Sequence, residues 1–108
     1  MLQVLLRDYD FRSASSFDEA LRLIEAGDYD LYIFDNWMPG GTGVELCRRV
    51  RELGRRSPII FVSGVARRQD IEEALASGAD RYLTKPCEPT LLRRIVKELL
   101  AENSEAFI

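Results

Sequence analysis

The chain has 108 residues, 46% of them hydrophobic and 31% charged, with a formal net charge of -3. This is the size and balance of one ordinary globular domain with one core. Acidic balance with no basic run leaves no electrostatic footprint for nucleic acid. No histidine and only Cys47 and Cys87 exclude a thiolate–imidazole zinc site and a His-based catalytic triad.

The N-terminal stretch "MLQVLLRDYD" has acids within its first ten residues. It lacks the apolar length and cleavage pattern of a signal peptide. No run reaches membrane-span length, and the two cysteines fit a reducing compartment at least as well as a disulfide. A cytoplasmic protein with no membrane partner is expected.

"SSFDEALRLIEAG" predicts the first clear helix. Ser16 and Glu19 form a capping-box pattern, and Phe17, Ala20, Leu21 and Ile24 recur at helical spacing. Gly27 stands where a left-handed cap belongs. "DLYIFD" predicts a short apolar strand. "TGVELCRRVRELG" predicts a helix capped by Thr42 with Glu45, facing Val44, Leu46, Cys47, Val50 and Leu53 inward and ending at Gly54. "PIIFVSG" is apolar on both faces, the pattern of a strand covered on both sides. "RRQDIEEALASG" predicts a weaker helix with Ile71, Ala74 and Leu75 inward and Gly78 as its stop. "DRYLTKP" predicts a strand. "CEPTLLRRIVKELLAEN" predicts a last helix with Pro89 in its first turn. Residues 101–108 are expected to be a fraying tail.

Strands alternating with helices imply right-handed crossovers and a parallel sheet. In such a sheet ligands bind beyond the carboxyl ends of the strands. Asp35 ends one strand, Ser63 ends the next, and Lys85 follows the third. A nucleophilic carboxylate, a hydrogen-bonding hydroxyl and a charge-neutralising ammonium suit a phosphoryl group. Taken singly, a cap, a turn serine and a surface lysine account for each residue better. Three together at one sheet edge are much harder to produce by chance.

"FDNWMPGGTG", "IIFVSG" and "YLTKP" resemble, in order and spacing, the three signatures of the response regulator receiver domain. The resemblance runs from Tyr9 to about Leu100. It implies a flavodoxin-like (CheY-like), doubly wound parallel α/β sheet. It also implies that Asp35 accepts a phosphoryl group from a histidine kinase or phosphotransfer protein, assisted by Ser63 and Lys85. Under it the bond from Lys85 to Pro86 is cis, and Tyr82 is the aromatic switch residue. Asp35 and the Trp37 backbone carbonyl become ligands of Mg²⁺, a hard cation that suits oxygen donors. Gly40, Gly41 and Gly43 let the loop turn. Trp37 and Val65, each two residues past a site residue, form an apolar pair that suggests slow hydrolysis of the acyl phosphate. Such a domain is a signalling phosphoacceptor that catalyses only its own phosphorylation and dephosphorylation.

The chain departs from the family at its N-terminus. Only eight residues precede Tyr9, too few for the family's first strand, its acidic pair and a full first helix. Residues 1–8 read as a remnant of that helix and "DYDFRSAS" as the second strand, so the fold is N-terminally incomplete within residues 1–108. A minority alternative takes "LQVLLRD" as the first strand, with Asp8 or Asp10 near the site. Missing strand pairing invites a homodimer or a rearranged sheet, and a lost acid pair weakens Mg²⁺. The competing function is a phosphorylation-independent interaction module. An aspartyl-nucleophile phosphatase is a distant third, because Trp37 stands where its general acid would be. Arg67, Arg68, Arg81 and Arg93 read as a solvated surface.

Overall fold

The structure, a computed structural model, describes residues 12–64 and 67–105, with side chains as far as Ala101. Among the described residues the first helix, α1 (Phe17–Ala26), follows an extended Ser16 whose hydroxyl accepts the Glu19 N–H at 3.3 Å. This satisfies one of the donors that a helix start leaves orphaned. The Glu19 carboxylate reaches one residue further back than a reciprocal box requires. It accepts from the Ser15 N–H at 3.4 Å and hydroxyl at 3.1 Å. Gly27 does not form the expected left-handed cap: its φ is -175°, extended backbone open to any residue.

Among the described residues three strands form a parallel sheet: β1 (Tyr32–Phe34), β4 (Ile59–Ser63) and β5 (Arg81–Thr84), in the order β1-β4-β5. Tyr32 pairs with Ile59 and Phe34 with Phe61, while Ile60 pairs with Arg81 and Ser63 with Thr84. Every β4 residue is buried, as expected for a strand covered on both faces. Its alternating side chains split the core in two. Ile59 and Phe61 join Ile24, Phe34, Val44, Leu46, Cys47 and Val50 on one face. Ile60 and Val62 join Leu92, Ile95, Val96 and Leu99 on the other.

The crossover helices are α2 (Gly43–Glu52) and α3 (Arg68–Ala76), followed by α4 (Pro89–Glu105). Thr42 caps α2, accepting the Glu45 N–H at 3.3 Å and donating to the Glu45 carboxylate at 3.1 Å. Gly54 and Gly78 follow α2 and α3 with φ of +78° and +117°, the left-handed stops that their positions suggest. Two expected inward residues are outside the core. Leu75 is 46% exposed and Leu53 37%, while Ala74 and Val50 hold the core-facing side of their helices. Helix α4 continues through residues 101–105, where a fraying tail is expected from the sequence.

The sheet edge opposite Asp35 is fastened by Arg51. Its Nε and Nη2 donate to the Gly78 carbonyl at 3.1 and 2.7 Å, and its Nη1 to the carbonyls of Arg55 and Ser57 at 3.0 and 2.8 Å. Nη2 also meets the Asp80 carboxylate at 3.3 Å. That carboxylate accepts the Ile59 N–H at 2.9 Å, so α2 is tied to the starts of β4 and β5.

The described part of "DYDFRSAS", from Arg12 onward, is irregular rather than a strand. The remaining N-terminal expectations lie outside the described residues: the helix remnant over residues 1–8, the alternative strand "LQVLLRD", and Asp8 and Asp10. So does Val65.

Candidate functional site

Asp35 follows β1 directly, at the carboxyl edge of the sheet. Its two oxygens have different partners. Oδ2 accepts from Lys85 Nζ at 2.7 Å, and Oδ1 accepts the Trp37 N–H at 3.1 Å. The carboxylate side chain is 37% exposed and that of Lys85 51%, so a ligand from solvent can reach both.

Lys85 is brought there by β5 and the turn after it. Its N–H donates to the Ser63 carbonyl at 2.8 Å, and the Lys85–Pro86 peptide is cis. Ser63 closes β4 and is fully buried. The structure therefore joins Asp35 to Lys85 through side chains and Lys85 to Ser63 through the backbone. Tyr82, half-buried on β5, stacks on Phe61 with ring centroids 5.7 Å apart and planes within 8°.

The loop after Asp35 contains a feature that its sequence does not reveal. Trp37–Met38 (β2) and Gly41–Thr42 (β3) form a two-residue antiparallel hairpin, with Trp37 opposite Thr42 and Met38 opposite Gly41. Pro39 and Gly40 make its turn. Gly40 has φ +93°, the Pro-then-glycine combination of a type II turn. Strands this short leave no alternation to detect.

Gly43 plays a steric part rather than a conformational one. A Cβ there would lie 2.6 Å from the Asp35 carbonyl oxygen and 2.8 Å from Phe61 Cε2. Its N–H donates to the Asn36 carbonyl at 3.1 Å, and Asn36 is buried. The bare α-carbon lets α2 start directly against the strand end that carries Asp35. Phe17 is a second neighbour missed from sequence, since it touches the loop only through tertiary packing. Gly43 did leave a signal: a glycine in the first helical turn, with no positive φ to require it, points to close approach.

Trp37 is 55% exposed beside Asp35. Among the described residues, the oxygens available to a cation here are the Asp35 carboxylate and main-chain carbonyls of the following loop. No group of three or more His, Cys, Asp or Glu side chains in these residues is arranged to hold a metal. No described helix is long and apolar enough to cross a membrane.

The family model of the response regulator receiver domain matches residues 1–97. The chain is 40% identical over 97 residues to the transcriptional regulatory protein DltR of Streptococcus agalactiae, covering 87% of this chain and 43% of that protein. It thus spans less than half the length of that regulator. Among solved structures, the CheY-like receiver domain protein of Methanospirillum hungatei superposes with a TM-score of 0.90 at 31% identity, over 97% of this chain and 85% of that one. The receiver domain of the Pseudomonas aeruginosa sensor histidine kinase PA1611, solved with a magnesium ion in its active site cleft, gives 0.81 at 31% identity, over 93% and 85%. A parallel sheet with helices on both faces, whole-domain superposition and a family match over nearly the full length agree: the chain belongs to the response regulator receiver domains of two-component signalling.

Proposed function

We propose that this domain accepts a phosphoryl group on Asp35 from a phosphohistidine of a kinase or phosphotransfer protein. The observation that carries this reading is the ion pair of Asp35 with Lys85 at 2.7 Å, at the exposed carboxyl edge of a parallel sheet. One Asp35 oxygen forms the new bond to phosphorus, the phosphorus–nitrogen bond of the donor breaks, and its imidazole nitrogen leaves with the electron pair. The product is an acyl phosphate. Lys85 exchanges the carboxylate for a phosphoryl oxygen and neutralises part of its charge. The Trp37 N–H holds the other carboxylate oxygen, so the nucleophile presents a fixed face.

The donor set fits Mg²⁺ in part. Asp35 and the Trp37 backbone carbonyl are the ligands proposed here, with water completing the shell, and binding is expected to be weak. The ion would supply a positive centre for the phosphoryl oxygens. The PA1611 receiver, which holds magnesium in its cleft, supports this assignment.

Ser63 is assigned to the phosphoryl oxygens, its hydroxyl turning outward from its buried position. Tyr82 is assigned the switch role, since its stacking on Phe61 gives it an inward position to hold or leave. Exposed Trp37 is assigned the slowing of water attack on the acyl phosphate. The domain acts in the cytoplasm, and a homodimer through exposed sheet edges is part of this reading, open to light scattering.

The test is intact mass after acetyl phosphate and Mg²⁺, for wild type and Asp35→Asn. One phosphoryl group on wild type and none on the variant supports the reading. No gain on wild type overturns it in favour of the phosphorylation-independent interaction module.

A further inference from the structure

Phe17 opens α1, yet it is bound into the loop that follows Asp35. Its N–H is one of the donors that a helix start leaves without an intrahelical partner, and it donates to the Pro39 carbonyl at 2.9 Å. Its ring occupies the space beside Gly41. A Cβ on Gly41 would stand 2.4 Å from Phe17 Cδ2 and 2.6 Å from Cγ. On its other side Phe17 packs with Leu21 against the core that α1 shares with α2.

The gripped loop is the β2–β3 hairpin. Met38 pairs with Gly41 and Trp37 with Thr42, and the Trp37 N–H holds Asp35 Oδ1 at 3.1 Å. A continuous path of contacts thus runs from Phe17 through Pro39 and Gly41 to the orientation of the Asp35 carboxylate. The hairpin has two residues per strand, too few to hold its shape alone. Its rigidity must come from what it packs against, and Phe17 supplies both a hydrogen bond and a ring.

We infer that Phe17 is a positioning residue for phosphoryl transfer, latching the phosphoacceptor loop to the start of α1 and so fixing the Asp35 carboxylate through Trp37. The catalytic part of this inference rests on Asp35 being the phosphoacceptor; the latch itself does not.

Trp37 is the only tryptophan and lies in the latched hairpin, so it reports the latch directly. Four proteins are compared with wild type: Phe17→Ala, Phe17→Leu, Gly41→Ala and the double variant Phe17→Ala/Gly41→Ala. Trp37 anisotropy and acrylamide quenching are read well below each unfolding midpoint, beside the rate of uptake from acetyl phosphate. Phe17→Ala is expected to lower the anisotropy, raise quenching and slow uptake roughly tenfold or more, with far-UV circular dichroism unchanged. Phe17→Leu should recover most of each signal. Gly41→Ala should disturb Trp37 strongly in the wild-type background and little once the ring is gone.

Unchanged Trp37 signals in folded Phe17→Ala, or strictly additive effects in the double variant, would overturn the latch. If Phe17→Ala does not fold, Phe17→Leu with and without Gly41→Ala decides by the same readings. If wild type takes up no phosphoryl group, the Asp35 assignment and the catalytic part fail, while the Trp37 signals still decide the latch.

Discussion

Gly43→Ala and Gly27→Ala are the same chemical change with opposite expected outcomes. At Gly43 the new methyl would lie 2.6 Å from the Asp35 carbonyl oxygen and 2.8 Å from Phe61 Cε2. Ordinary contact begins at 3.4 Å, so something must move by about 0.8 Å. Neither neighbour is a loose side-chain tip: one is backbone and the other belongs to a fully buried ring. Overpacking of this kind costs about 1–3 kcal/mol. In a domain of this size that lowers Tm by about 5–20 °C. The displaced atom belongs to Asp35 itself, so phosphoryl uptake should fall further than stability does, by up to about 100-fold. At Gly27 the backbone is extended and nothing lies within 4 Å of an added Cβ. Alanine there should stabilise by about 0.4–1 kcal/mol by restricting the unfolded chain. Thermal unfolding by circular dichroism, with uptake measured in parallel, checks both. Equal stability of the two variants would refute the steric account of how α2 abuts the site.

Lys85→Met should move Tm by about 5 °C at most, because its ion pair with Asp35 is half exposed and such pairs contribute under about 1 kcal/mol. Phosphoryl uptake in the same variant should collapse, which separates a catalytic role from a structural one in a single preparation. Cys47 is fully buried, burial pushes its thiol up, and its Sγ contacts the Ser77 carbonyl at 3.4 Å. Iodoacetamide on the native protein, read by peptide mass, should therefore label half-buried Cys87 well ahead of Cys47; equal labelling would contradict the packing. Burial, the largest cause, raises the Tyr32 phenol above its ordinary value, with the Asp28 contacts adding to it and Arg55 opposing. The folded state then holds that proton more tightly than the unfolded chain. This contribution to stability is complete below the unfolded pKa and is lost as pH rises through the folded one. Denaturant titrations of wild type and Tyr32→Phe across the alkaline range should show the steeper loss in wild type.

Much of this architecture is written locally. Ser16 and Thr42 cap their helices because the serine and threonine stand directly before apolar helical repeats. β4 is apolar at every position because it is covered on both faces. Lys85 and Asp35 meet because each follows a strand at the carboxyl edge of one parallel sheet, the edge at which the strand–helix alternation places them. Where expectation and structure part, the cause is tertiary. Leu53 and Leu75 keep helical spacing but stay exposed, their helices meeting the core through Val50 and Ala74. Gly27 ends a helix without turning left-handed, because the chain leaves α1 extended on its way to β1. Phe17 and Arg51 gain their partners across loops, and no pattern in the sequence announces the Phe17–Gly41 contact. The β2–β3 hairpin is too short for periodicity and is held by its neighbours. Asp8, Asp10 and Val65 lie outside the described residues, so the acid-pair and Val65 expectations stand as proposals.

The central claim is that Asp35 is the residue that becomes phosphorylated. Acetyl phosphate treatment with Mg²⁺, followed by borohydride trapping and peptide mapping, tests it at residue resolution, because reduction of an aspartyl phosphate leaves homoserine at the modified position. Homoserine at position 35 is the expected result. Phosphate retained as an ester on Ser63, or a peptide map with no change at position 35, would contradict it.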